Sequence, residues 1–106
     1  MKTSNFRKNG YHPLAVAISR TVPKWYKGRR YLKLAPPWWL IKIKNPQKFI
    51  EFYYRYVLNR LDPNTVYAEL GQDAILLCWE KPGEFCHRRI VAQWLEEKLN
   101  IKIPEL

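Results

Sequence analysis

The stretch Leu77-Cys78-Trp79-Glu80-Lys81-Pro82-Gly83-Glu84-Phe85-Cys86-His87-Arg88-Arg89 gathers two thiols, an imidazole, carboxylates and paired guanidiniums. A cysteine at a helix N-terminus, beside a histidine and arginines, has its thiolate favoured. Cys86 is therefore a candidate nucleophile, with a buried first-turn residue as the alternative. His87 is a candidate acid or base, or a turn cap held by a backbone hydrogen bond. Glu80, at the end of an apolar run, is a candidate general base or the holder of an arginine in a structural ion pair. Arg88 and Arg89 can grip a phosphate or carboxylate in a forked way that lysine cannot. Cys78, among apolar neighbours, reads as a small core hydrophobe.

The spacing of Cys78, Cys86 and His87 differs from the paired Cys-x-x-Cys of structural zinc sites, so no metal is expected. The zinc-deaminase signature, a Walker loop, a dinucleotide-binding glycine motif and a nucleophile elbow are all absent, so no cofactor is expected. A Cys-x5-Arg phosphate loop is missing too, since the sixth residues after Cys78 and Cys86 are Glu84 and Ala92.

A second constellation runs from Ser19-Arg20-Thr21 to Tyr31. Arg20 heads it, and Lys24, Lys27, Arg29, Arg30 and Lys33 interleave with Trp25, Tyr26 and Tyr31. Cations on phosphates and rings on unpaired bases give this composition. Trp38-Trp39, after Pro36-Pro37, forms either a stacking platform or the apolar cover of a loop.

Both groups need elements to hold them. Leu14–Ile18 and Ala74–Trp79 are short apolar runs that read as buried strands. Residues 20–48 look irregular, interrupted by Pro23, Gly28, Pro36, Pro37 and Pro46. Residues 47–60 are helical by pattern, with Phe49, Phe52, Tyr53, Tyr56 and Val57 on one face. Asp62-Pro63 starts another helix and Gly71 ends it. Pro82-Gly83 marks a turn. A last helix runs from about Glu84 to Leu99, ending at Asn100, and Ile101 and Ile103 allow a short final strand. Residues 1–12 read as a basic, irregular arm. The order predicts a small single-domain α/β fold with a mostly parallel sheet and its site at the strand carboxyl ends.

Composition agrees. The 106 residues are 47% hydrophobic and 26% charged, a globular balance that excludes a disordered chain. No apolar run is long enough to cross a membrane, and an acidic membrane surface is a poor match for cations scattered over several elements. No apolar segment follows the first charges, and two cysteines make no disulfide scaffold, so a reducing cytoplasm is expected. The net charge is +10. Residues 1–60 hold fourteen basic groups and one acid, for +13; residues 61–106 hold five and eight, for −3. Such asymmetry reads as a surface for a polyanion, DNA or RNA above all.

The Leu77-Cys78-Trp79-Glu80 strand end with Cys86-His87-Arg88 resembles the domain of unknown function 488 family. That family's hallmark is Leu-Cys-x-Glu followed by a Cys-His-Arg that opens a helix. Ser19-Arg20, Pro23, Tyr31 and Leu34-Ala35-Pro36 are similar to its first half, so the likeness spans roughly residues 14–99. The resemblance implies a small cytosolic α/β domain of prokaryotic or viral setting. It places shared polar positions at Arg20, Cys78, Glu80, Cys86, His87 and Arg88. It implies no activity, and the extra N-terminal segments of larger members have no counterpart here.

The expected function is nucleic-acid binding, with chemistry on a base or sugar carried by Glu80 and His87 and with Arg88 on a phosphate. The alternatives are a thiol-dependent enzyme using Cys86 on a small anionic substrate, and a non-catalytic adaptor for an acidic protein.

Overall fold

The computed structural model describes residues 1–80 and 85–106. The expected Pro82-Gly83 turn and Glu84, the first residue of the last expected helix, lie outside them. Among the described residues four strands form one parallel sheet in the order β1-β4-β2-β3, as the α/β pattern requires. They are β1 (Lys2–Asn5), β2 (Ala15–Ala17), β3 (Arg29–Arg30) and β4 (Ile75–Cys78). The helices are α1 (Phe6–Asn9), α2 (Trp38–Ile41), α3 (Pro46–Tyr56), α4 (Pro63–Leu70) and α5 (His87–Leu99).

Every residue of β2 and β4 is buried, which explains their unbroken apolar runs. Their side chains alternate between two cores. Val16 and Leu76 join Leu40, Tyr53, Val91, Trp94 and Leu95 on the larger face. Ala15, Ala17, Ile75 and Leu77 meet Phe6 and Tyr26 on the smaller.

Helix boundaries follow local chemistry. Pro46 occupies the first turn of α3, and the Asn45 side chain accepts from the Lys48 backbone N–H at 3.1 Å. Gly71 ends α4 at φ 93°, and Asn100 ends α5 in the left-handed region. The expected aromatic stripe divides by depth: Phe49, Tyr53 and Val57 are buried, whereas Tyr56 is exposed. Tyr53 Oη donates to the Leu34 carbonyl at 2.6 Å, fixing the irregular segment to α3. Tyr53→Phe strands that buried carbonyl. It is expected to cost about 1–2 kcal/mol in urea unfolding, and no loss would mean that the carbonyl finds water.

Two expectations need correction. The first residues are no irregular arm, because Lys2–Asn5 pairs with Ile75–Cys78 as an edge strand. Their polar side chains hid this, yet the buried Thr3, Ser4 and Asn5 each find a partner. Thr3 Oγ1 donates to Glu105 Oε1, Ser4 Oγ donates to Asn9 Oδ1, and Asn5 Oδ1 accepts from the Lys8 N–H. Ile101 and Ile103 form no strand, since the chain end instead bridges Thr3 through Glu105.

Candidate functional site

Because all four strands run parallel, their carboxyl ends share one edge. β2 and β4 are neighbours there, so the segments that follow them lie side by side. The N-terminus of α5 closes the same corner. His87 Nε2–H donates to the Ile18 carbonyl at 2.7 Å, tying α5 to the end of β2. Trp79 Nε1 donates to the Thr21 carbonyl at 3.0 Å, tying the end of β4 to the same segment.

Between them opens a cavity of about 240 Å³. Ser19, Arg20, Glu80, Cys78, Cys86 and His87 supply its polar and sulfur lining. Its aromatic walls are Trp38, Trp79 and Phe85, which are 59%, 50% and 44% exposed. Ile41, Ile43 and Phe49 complete an apolar side. The corner thus unites Arg20, Glu80, Cys86, His87 and Trp38, all singled out in the sequence.

The polar groups are in defined states. The Ile18 carbonyl can only accept, so the proton of a neutral His87 sits on Nε2 and leaves Nδ1 as an acceptor. Burial pushes the His87 pKa down to about 4, helped by the nearby Arg88 charge and opposed by the Ile18 bond. The ring is therefore neutral at pH 7, a form suited to accepting a proton or a metal and unsuited to donating a proton as an acid. Its Nδ1 lies 4.0 Å from Cys86 Sγ. Cys86 occupies the N-cap of α5, and its sulfur is in bonding contact with that of Cys78 as a disulfide pair. Cys78 is thus more than a core hydrophobe. Arg20 is anchored to the Ala35 and Pro36 carbonyls at 3.0 and 3.2 Å, which holds the Trp38 segment over the cavity.

Arg88 does not line the cavity. It is 1% exposed, and its Nε and Nη2 fork onto the Glu105 carboxylate at 2.7–3.2 Å. Its Nη1 donates to Cys78 Sγ at 3.1 Å. Glu105, not Glu80, is the arginine's partner. Arg89 donates to Thr3 Oγ1 and to the Ile103 carbonyl.

The remaining cationic and aromatic candidates separate. Trp25 and Lys27 line a different depression with Tyr11 and His12, and Trp25 stacks on Tyr11 at 4.6 Å. Lys24 is exposed beside them in sequence. Arg29 caps the carbonyl end of α4 through Glu69 and Leu70, Arg30 donates to the Arg20 carbonyl, and Lys33 pairs with Glu69. Trp39 packs edge-on against Phe52 and Tyr56.

Sequence reasoning missed Trp79 and Phe85 as cavity walls. It also passed over Lys42 and Lys44, which are exposed and flank the cavity-lining Ile41 and Ile43. The alternation of lysine with isoleucine over residues 41–44 was the available signal.

No helix among the described residues is long and apolar enough to cross a membrane. Comparisons with protein-family models, curated proteins and solved structures found no match to this chain.

Proposed function

We propose that this chain binds single-stranded or locally opened nucleic acid and receives one unpaired base in the cavity at the strand carboxyl ends. The observation that carries this is the convergence of three exposed rings, Trp38, Trp79 and Phe85, on one cavity. Solvent-facing aromatics are costly to display, and planar bases are the partners that repay them, at about 1–3 kcal/mol per stacked base. The volume, about 240 Å³, lies below that of pockets for drug-sized ligands and suits one ring system. The setting is cationic: residues 1–60 carry +13, and Lys42 and Lys44 are exposed beside two lining residues. Glu80 and Arg20 supply hydrogen-bonding groups within the cavity to read a base edge.

Of the polar positions singled out by the family resemblance, Arg20, Cys78, Glu80, Cys86 and His87 line the cavity and Arg88 does not. The thiol-nucleophile alternative is less favoured, because the Cys86 sulfur is buried and held against Cys78.

Fluorescence anisotropy of labelled single-stranded oligonucleotides over a salt series provides the test. Trp38→Ala and Trp79→Ala are each expected to weaken binding about 10-fold, whereas Trp25→Ala, in the separate depression, leaves it nearly unchanged. Lys42→Ala with Lys44→Ala is expected to reduce the single-strand salt slope by about 1.4. Absence of saturable binding at low salt, or wild-type affinity in both cavity variants, would overturn the proposal.

A further inference from the structure

We infer that Cys78, Cys86 and His87 form a three-ligand site for a zinc-class divalent ion, with its fourth coordination position facing the cavity. The spacing along the chain gave no hint of this. Cys78 ends β4 and Cys86 caps α5, so the fold closes an eight-residue separation into one cluster. Cys78 Sγ, Cys86 Sγ and a ring nitrogen of His87 all lie within 4.8 Å of one another. Two thiolates and an imidazole are the soft and borderline donors that zinc prefers.

Three further observations favour a shared ion over a simple disulfide as the working state. First, the Cα atoms of the two cysteines are 7.2 Å apart, beyond the usual disulfide range of about 4.4–6.8 Å. Sulfurs bound to one tetrahedral ion, each about 2.3 Å from it, stand about 3.8 Å apart and accommodate that separation. Second, His87 gives its Nε2–H to the Ile18 carbonyl and keeps Nδ1 unprotonated toward the sulfurs. Metal-binding histidines are oriented by this kind of outer hydrogen bond. Third, Arg88 Nη1 donates to Cys78 Sγ at 3.1 Å, an interaction suited to a thiolate. The Arg88 charge is already matched by Glu105, so it cannot balance two buried thiolates, whereas the charge of a divalent ion does.

Binding starts from the dithiol form. The ion replaces one proton on each sulfur, so two protons leave and neutral His87 loses none. All three ligands line the cavity. Three protein ligands with an open position is the pattern of catalytic zinc, not of closed structural sites. The site deepens the base-binding proposal by placing a Lewis acid at the cavity, yet its test needs no nucleic acid, so either proposal can fail alone.

The full chain is purified under reducing conditions without chelator, and its metal content and free thiols are counted. About one zinc per chain is expected. The apo-protein, reduced and then titrated with Co2+, is expected to develop sulfur-to-cobalt charge-transfer absorption and the intense visible bands of four-coordinate cobalt. His87→Gln, which retains both thiols, is expected to lower Co2+ affinity at least about 10-fold, the loss that even outer partners cause. Cys86→Ser is expected to weaken the charge-transfer band. Reduced, folded wild-type protein that gives no such spectrum would overturn the inference. So would unchanged Co2+ affinity in folded His87→Gln.

Discussion

Glu105→Ala is expected to lower the unfolding free energy by about 3 kcal/mol. Arg88 is 1% exposed, and both its Nε and its Nη2 donate to that carboxylate. Removing the partner leaves a guanidinium stranded in the interior, and broken buried pairs cost about 3–5 kcal/mol. The lower end applies because Glu105 is itself 22% exposed. The double variant Arg88→Met, Glu105→Leu is expected to recover most of the loss, since it removes the stranded charge and retains the volume. Tryptophan-fluorescence urea curves measure both. A loss under about 1 kcal/mol for Glu105→Ala would show that water reaches Arg88.

The same pair sets an acid limit. Burial pushes the Glu105 pKa up, but hydrogen bonds from Arg88 and Thr3 and the charges of Arg88 and Arg89 outweigh it, so the net shift is downward. A carboxylate lowered on folding stabilises fully above its unfolded pKa. That stabilisation drains away as pH falls below the ordinary carboxylate range and through the folded value. Glu105→Gln is expected to flatten this limb of the stability curve.

Trp94→Ala is the other large effect, at about 3–5 kcal/mol. Trp94 is buried on the inner face of α5, in the core with Leu76, Val91 and Leu95. Nothing the size of an indole can collapse into that gap, so both transfer and cavity costs apply. For a domain whose whole stability is about 5–15 kcal/mol, that is a large part of the total. Trp94→Phe is expected to cost less than half as much. Equal melting temperatures for Trp94→Ala and wild type would mean that α5 does not depend on this core.

What could be foreseen followed from residue chemistry. β2, β4 and α5 announced themselves because their apolar runs and periodicity match their burial, and the parallel order placed a site at their ends. β1 escaped because Thr3, Ser4 and Asn5 are polar, and only their long-range partners make burial affordable. Glu105 escaped for the same reason: nothing near position 105 indicates that it faces Arg88. The cavity was half legible. Arg20, Glu80, Cys86, His87 and Trp38 were picked by type and by expected strand ends, and they converge. Arg29, Arg30 and Lys33 were picked by charge alone, and charge does not disclose that a side chain is spent on a neighbouring carbonyl or carboxylate. Trp79 and Phe85 were overlooked because a ring beside a strand end reads as core until the cavity is seen.

The sheet order has a consequence for synthesis. β4 lies between β1 and β2, yet it is the last of the four to be synthesised. Until then β1 has no neighbour, and β2 has only the two-residue β3. Arg88 must wait longer still, for a carboxylate seventeen positions downstream. Translation therefore delivers most of this chain without a sheet to join, and its assembly is a single late event. A nascent chain stalled before Ile75 is expected to be held by chaperones and open to proteases, whereas one extended past Glu105 closes all at once.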